Sequence, residues 1–341
     1  MILLENRIAL LAQLGYYFEQ KSEELEDVID LAHRANGWFI PEFTRLAMDN
    51  IANYFLKKEA LENWIQQYPK LLQQRSEPKT VGIVMAGNIP LVGFHDFLCG
   101  FISGHTLRIK LSSKDTVLWN HIFAKLAEWN PEFAAEVSVS EMLKHCDAYI
   151  ATGSNNSARY FEYYFQKYPH IIRKNRTSVA ILDGSEDKDS LKKLSDDVNL
   201  FFGLGCRNVT KVYVPKDYNF EALLRSFDRF AAHGDHNKFR NNYDYQLALY
   251  LLNRQLYMSN GHVLMVENES PYAPISVVHY SFYEDKAALI EALQQNDSIQ
   301  CITTGTVAVD SGKLMPFGAN QSPSLTDYAD GVDTLAFLQD L

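Results

Sequence analysis

One cysteine stands in a setting that suits a nucleophile. In Gly205-Cys206-Arg207 a thiol occupies a loop between a helix-like stretch and an apolar run, beside a positive charge that favours its thiolate. A thiolate of this kind attacks a carbonyl and holds the acyl group as a thioester. The bland alternative is strong, because a free cysteine most often behaves as a small buried hydrophobe. That alternative suits Cys99, Cys146 and Cys301, which lie in apolar helical or strand-like contexts and lack the glycine before and the cation after.

Three other positions have chemistry to offer. Asn88 follows an apolar run and Gly87 and is held by Pro90, so its amide could donate to a ligand at a strand's carboxyl end; it could equally be a turn residue. Lys110 ends the next apolar run and could meet a ribose or phosphate, although a lysine there is usually just solvated. Gly153-Ser154 opens a helix whose free N–H groups could take a pyrophosphate, or be capped by the serine itself. Gly203-Leu204-Gly205 is rejected as a dinucleotide loop, since Asn208 stands where the third glycine belongs and a strand follows. His233-Gly234-Asp235-His236 has metal-capable groups but no further ligand at a convincing spacing, so no metal site is expected.

Elements that could position these residues follow from apolar spacing. Residues up to about Gln74 carry helical periodicity, broken near Gly37 and Pro41, and form a helical N-terminal layer. Beyond it, short apolar runs alternate with helical segments: Thr80–Ala86, a helix over Leu91–Ile102, Thr106–Leu111, a helix over Val117–Trp129, Ala148–Ala151, and a helix after Asn155. From Ser178 the pattern restarts with Ser178–Leu182, a long amphipathic helix, and Lys211–Val214. Helices over Phe220–Ala232 and Tyr243–Met258 and strands over His262–Val266, Ile275–Tyr280 and Ile299–Thr304 complete it. Strand and helix in alternation give an α/β fold with parallel sheets. The expected division is a helical layer and nucleotide-binding lobe over residues 1–176, a catalytic lobe over 177–320 and a C-terminal tail over 321–341.

A length of 341 residues accommodates two lobes with cores of their own. With 47% hydrophobic and 22% charged residues the chain is too rich in core formers for disorder and too interrupted by charge for a membrane span. The net charge of -10 argues against a nucleic-acid partner. Four cysteines without a C-x-x-C pair point to a reducing compartment, and the first residues lack the features of a secretory signal, so a cytoplasmic location is expected.

In order along the chain, these motifs resemble the aldehyde dehydrogenase superfamily and, within it, the acyl-CoA reductase family typified by the bacterial luminescence fatty acid reductase. Gly87-Asn88-Ile89-Pro90 is similar to the superfamily's asparagine-aromatic-proline turn, and it is followed at matching distance by Gly104-His105-Thr106 and the strand ending in Lys110. Thr152-Gly153-Ser154 resembles its threonine-glycine-serine helix opening, Cys206 falls where the catalytic cysteine belongs, and Pro316-Phe317-Gly318 matches a late motif. The resemblance implies an aldehyde-dehydrogenase-like fold: a Rossmann-like cofactor lobe plus a catalytic lobe. It implies that Cys206 is the nucleophile, that Asn88 and the Cys206 backbone N–H hold the oxyanion, that Lys110 contacts the adenosine ribose, and that Gly153 and Ser154 meet the pyrophosphate. Glu269, with Glu267 as competitor, corresponds to the glutamate that holds the nicotinamide ribose.

Two departures from the superfamily pattern bear on the reaction. Where hydrolytic members carry a glutamate base, this chain has Arg173-Lys174-Asn175-Arg176-Thr177-Ser178, without a carboxylate. Without that base water attacks a thioester poorly, which favours thioester chemistry over hydrolysis. Three residues after Lys110, where a glutamate often excludes a 2'-phosphate, stand Ser113 and Lys114, favouring NADPH over NADH. The expected activity is therefore reduction of an acyl-CoA or other acyl thioester to an aldehyde, with an acyl-donating partner protein and a homo-oligomer as open expectations. The alternatives are an oxidising aldehyde dehydrogenase, a cofactor-independent acyl-transfer subunit and a non-catalytic scaffold.

Overall fold

The computed structural model describes residues 2–73, 77–305 and 312–341, and the backbone alone of Asn155. Gln74, the expected end of the helical layer, lies outside the described residues. The chain forms two compact units, Met1–Asn175 with Pro323–Leu341, and Arg176–Ser322.

The first unit is built on five parallel strands, β1 (Thr80–Val84), β2 (Thr106–Lys110), β3 (Val137–Val139), β4 (Ala148–Thr152) and β5 (His170–Arg173), in the order β3-β2-β1-β4-β5. Val81, Ile83, Leu107, Ile109 and Ile150 are all buried, the pattern of strands covered on both faces. Helices Phe94–Ile102 and Thr116–Trp129 supply an aromatic core in which Phe97 packs on Phe101, Trp119 and Phe123. The helical layer comprises Leu4–Glu19, Glu23–Ala35, Pro41–Tyr54 and Lys58–Ile65. Its second helix is well specified locally: the Ser22 side chain accepts from Leu25 N, three glutamates occupy the first turn, and His33 and Arg34 occupy the last.

The C-terminal residues do not stand apart as a tail. Leu325, Leu335 and Leu338 are buried in the same core, Tyr68 donates to Asp333 at 2.7 Å, and His105 Nε2 donates to the Leu338 carbonyl at 2.9 Å. β5 is absent from the sequence expectation because its last residue is charged. Arg173 is nevertheless buried there, with both Asp96 oxygens at 2.6 Å from Nη1 and Thr334 Oγ1 at 2.6 Å from Nη2.

Seven strands make the sheet of the second unit: β6 (Thr177–Ile181), β7 (Val209–Pro215), β8 (Met258–Ser259), β9 (Leu264–Glu267), β10 (Val277–Tyr283), β11 (Ile299–Thr304) and β12 (Leu314–Pro316). Their order is β12-β11-β6-β7-β10-β9-β8, and only the β8–β9 pair is antiparallel. Helix Lys188–Asn199 connects β6 to β7, with Asp187 capping it through Ser190 N. Two helices expected from spacing differ. Residues 220–232 divide into a short α-helix, Glu221–Ser226, and a 3-10 segment, Phe227–Asp235, whose kink falls at Phe230. The other helix runs over Asn237–Leu252, capped by His236, and stops before the edge strand β8.

Candidate active site

In the first unit the chain reverses direction across the sheet at β1, which pairs with β2 on one side and β4 on the other. At such a switch point the loops leaving the carboxyl ends of neighbouring strands diverge and open a crevice, the place where α/β sheets take ligands. The Asn88 turn leaves β1, Lys110 ends β2, and Gly153-Ser154 leaves β4. Four of the residues expected to bind or catalyse therefore lie at the carboxyl ends of neighbouring strands of one sheet. Lys110 and Ser154 are exposed and Asn88 is half-buried. Ser154 caps helix Asn155–Phe165, accepting from Ser157 N at 3.2 Å, and Gly153 leaves no room for a side chain, since a Cβ there would lie 2.9 Å from Phe161 and Ser157.

The Asn88 turn has a holder that sequence reading missed. Asp115, 2% exposed, accepts Leu91 N through Oδ2 at 2.8 Å, and Leu91 takes a left-handed φ of 55°. For this reason helix Phe94–Ile102 begins three residues later than apolar spacing alone indicates. Burial pushes the Asp115 carboxyl up to about 8, against the pull of the Leu91 N–H and the Trp119 side chain. Gly87 is required by close approach: a Cβ there would fall 2.5 Å from Ser112 Oγ.

Cys206 lies in the second unit, in the turn that enters β7. It is half-buried, whereas Cys99, Cys146 and Cys301 are buried, and burial raises the thiols of Cys99 and Cys146. Approach to the turn is unusual. Phe201 (φ 54°, ψ 29°) and Phe202 (φ 56°, ψ 25°) are both left-handed, and Gly203 follows at φ 71°. Each non-glycine residue in that region costs about 1–2 kcal/mol, so the surroundings must enforce it. Both phenylalanine side chains are buried, and Phe202 lies against the rings of His233 and His236 at 4.5 and 4.6 Å. The His233-to-His236 segment thus packs on the approach to the cysteine.

The backbone around the thiol is fixed by side chains. Asn208 accepts Gly205 N at 2.8 Å and donates to the carbonyls of Leu200 at 2.9 Å and Asp197 at 3.0 Å. Ser178 Oγ donates to the Cys206 carbonyl at 3.0 Å and also accepts Cys301 N at 3.1 Å. Asn320 Nδ2 donates to the Arg207 carbonyl at 3.0 Å. Asn208, Ser178 and Asn320 are each 0% exposed. Asp197, also fully buried, accepts Gly318 N at 2.6 Å and Asn320 N at 3.2 Å, tying the Pro316-Phe317-Gly318 segment to this loop. The Arg207 guanidinium, expected to favour the Cys206 thiolate, has Nη1 3.6 Å from Cys301 Sγ.

Glu269 lies between β9 and β10 with its carboxylate side chain 94% exposed. Its segment is held against β7: Lys211 Nζ donates to the Glu269 carbonyl at 2.9 Å and stands 3.7 Å from Oε2, and Thr210 Oγ1 donates to the Pro271 carbonyl at 2.6 Å. Lys211 is fully buried, and desolvation lowers its pKa against the pull of Glu269. Glu267, the competing residue, is exposed at the end of β9. A lysine inside the apolar run Lys211–Val214 was the available signal, since a buried ammonium requires a partner.

Comparison with known proteins places this arrangement. The profile of the family described as acyl-CoA reductase (LuxC) matches residues 43–222. The chain belongs to that family. The matched range includes Asn88, Lys110, Ser154 and Cys206, and leaves Glu269 and Asn320 beyond it. A long-chain acyl-protein thioester reductase of Aliivibrio fischeri is 22% identical over 209 residues, 55% of this chain and 43% of that protein, so the matched stretch spans less than half of the relative's length. In fold, aldehyde dehydrogenase 21 from Physcomitrella patens, solved with the reaction product succinate, superposes with a TM-score of 0.74 at 12% identity over 100% of this chain and 84% of that one. A Mycobacterium tuberculosis aldehyde dehydrogenase complexed with NAD+ gives 0.63 at 14% identity over 91% and 75%. The chain thus has the aldehyde-dehydrogenase-like α/β fold expected from the motif order. Among the described residues, no helix is long and apolar enough to cross a membrane, and no group of three or more His, Cys, Asp or Glu side chains could hold a metal ion.

Proposed function

We propose that this chain reduces an acyl thioester to an aldehyde, with Cys206 as the nucleophile and NADPH as the reductant. The observation that carries the reading is Cys206 itself: the one half-buried cysteine, in a loop whose neighbouring peptide groups are each held by a buried side chain. The Cys206 thiolate attacks the thioester carbonyl, Asn88 and the Cys206 N–H donate to the oxyanion, and the donor thiolate leaves. An acyl group then remains on Cys206. A reduced nicotinamide, when bound, would supply hydride to that carbonyl; Cys206 would then be released as thiolate when its hemithioacetal collapses to the free aldehyde.

The strand ends of the first unit suit a dinucleotide. Lys110 is free to meet a ribose, the helix opening at Gly153-Ser154 a pyrophosphate, and exposed Ser113 and Lys114 a 2'-phosphate, with NADH as the alternative cofactor. Glu269 would hold the nicotinamide ribose, with its loop braced by Lys211.

The rival reading, oxidation of a free aldehyde to an acid, needs a base to activate water. Arg173-Lys174-Asn175-Arg176 offers none, and Asp96, the carboxylate that meets this segment, has both oxygens engaged by Arg173. The Aliivibrio fischeri relative acts on an acyl-protein thioester, so the donor proposed here is either acyl-CoA or an acyl group on a partner protein. The test is NADPH consumption, followed by absorbance, with acyl-CoA of graded chain length and wild type against Cys206→Ala. Aldehyde formation that vanishes in the variant supports the reductase; oxidation of free aldehydes with no thioester reduction overturns it.

A further inference from the structure

Resting on the assignment of Cys206 as the nucleophile, we propose that Asn320 is a positioning residue, which Asp197 and Thr303 hold in place so that it fixes the Arg207–Asn208 peptide, one residue beyond the thiol. The sequence gives Asn320 no chemical role: it follows the Pro316-Phe317-Gly318 motif by two residues, 114 positions from Cys206 by subtraction of the two residue numbers.

Three consecutive residues, Gly205, Cys206 and Arg207, each have one backbone polar group taken by a different buried side chain: Asn208 at 2.8 Å, Ser178 at 3.0 Å and Asn320 at 3.0 Å. Asn208 and Ser178 are near the loop in sequence or in the adjacent strand, and each has structural work besides, at Leu200 and at Cys301 N. Asn320 differs. Its own backbone N–H is received by Asp197 at 3.2 Å, its side chain pairs with Thr303 Oγ1 at 2.9 Å, and its remaining donor is directed at the Arg207 carbonyl. All of Asp197, Thr303 and Asn320 are 0% exposed. Burial pushes the Asp197 carboxyl up to about 7, and the N–H groups of Gly318 and Asn320 pull it back. A buried carboxylate spent on two backbone amides of a loop is a costly way to shape that loop unless the loop's position matters. The Asn320 bond fixes the plane of the Arg207–Asn208 peptide and the Ser178 bond that of the Cys206–Arg207 peptide, so together they limit rotation about Arg207 and hold the chain that leaves the thiol-bearing residue.

Acylation of Cys206 by octanoyl-CoA without cofactor, timed by mass spectrometry of the intact full-length chain, reads this role directly. Alkylation of Cys206 by iodoacetamide, which demands thiol access but little geometry, is the internal reference. In Asn320→Ala the acylation rate at saturating octanoyl-CoA should fall about ten- to a hundredfold while alkylation changes by less than about twofold. Thr303→Val, which preserves shape and removes the hydroxyl that steadies the Asn320 amide, should shift acylation the same way by about threefold, and it serves if Asn320→Ala does not fold. Unchanged acylation in folded variants, or acylation and alkylation falling in proportion, overturns the positioning role. Labelling that survives Cys206→Ala overturns the nucleophile assignment instead and takes the positioning role with it.

Discussion

The Asn88 turn and the Cys206 loop are two short connections that carry the proposed chemistry, and they are secured in opposite ways. The Asn88 turn leaves the end of β1 and is held at Leu91 by one buried carboxyl group, that of Asp115, assisted by a glycine that lets the backbone close on Ser112. The Cys206 loop enters the start of β7 through two left-handed phenylalanines and is gripped at three successive residues by three side chains from separate parts of the second unit. An amide donor on a short turn needs only a sharp bend at the right place. A thiol that must present both its sulfur and its own N–H to one carbonyl needs its peptide planes fixed as well.

The comparison can be broken at the chemistry first. Asn88→Ala, removing one donor to the oxyanion, should cost about 3 kcal/mol of transition-state stabilisation, roughly a hundredfold in kcat, with thermal stability nearly unchanged. Full activity in that variant would remove the turn from the site. Stability then tests the grip on the other loop. Asn208→Ala leaves the Gly205 N–H and the Leu200 and Asp197 carbonyls without their buried partner, and it should destabilise the chain by about 2–3 kcal/mol in urea titration. A loss no larger than that of an exposed polar residue would show that the left-handed segment holds itself.

The smallest effect concerns pH. Burial raises the Asp115 carboxyl from 3.8 to about 8, so the folded chain binds its proton more tightly than the unfolded chain does. Stability from this group is complete at low pH and is lost as pH climbs between about 4 and 8. Asp197, raised to about 7, acts in the same direction. Asp115→Asn should therefore lessen the fall in melting temperature over that interval without abolishing it, Asp197 supplying the remainder. An unchanged pH slope would show that the Asp115 proton is not shifted.

Local patterns were legible in the sequence and distant bracing was not. Strand and helix alternation, the Gly87-to-Pro90 turn and the Ser154 cap are written within a few neighbouring residues, and motif order led to the family. Asp115 was invisible because a single aspartate before a helix reads as an ordinary cap, yet its side chain turns to Leu91. Helical spacing likewise overran at Leu91, where a left-handed residue interrupts periodicity without being a glycine. Strand β5 was missed because Arg173 looks like a surface residue until Asp96 and Thr334 cover it. Asn320, Asp197 and Ser178 come together only when β6, β7 and β11 are paired, a fact of topology that no local window contains.

Return of residues 323–341 to the first unit has a consequence for synthesis. The second unit, Arg176–Ser322, is contiguous, so every residue of its core is available before Pro323 is made. The first unit begins earlier and finishes later: Thr334 must reach Arg173, Asp333 must reach Tyr68, and Leu335 and Leu338 must enter the core. A chain emerging in order would complete its second-made unit first, leaving the older one open at the helix Phe94–Ile102 and the Arg173 ion pair until the last segment arrives. Release of the nascent chain a few residues short of Thr334 would thus spoil the half that was translated first.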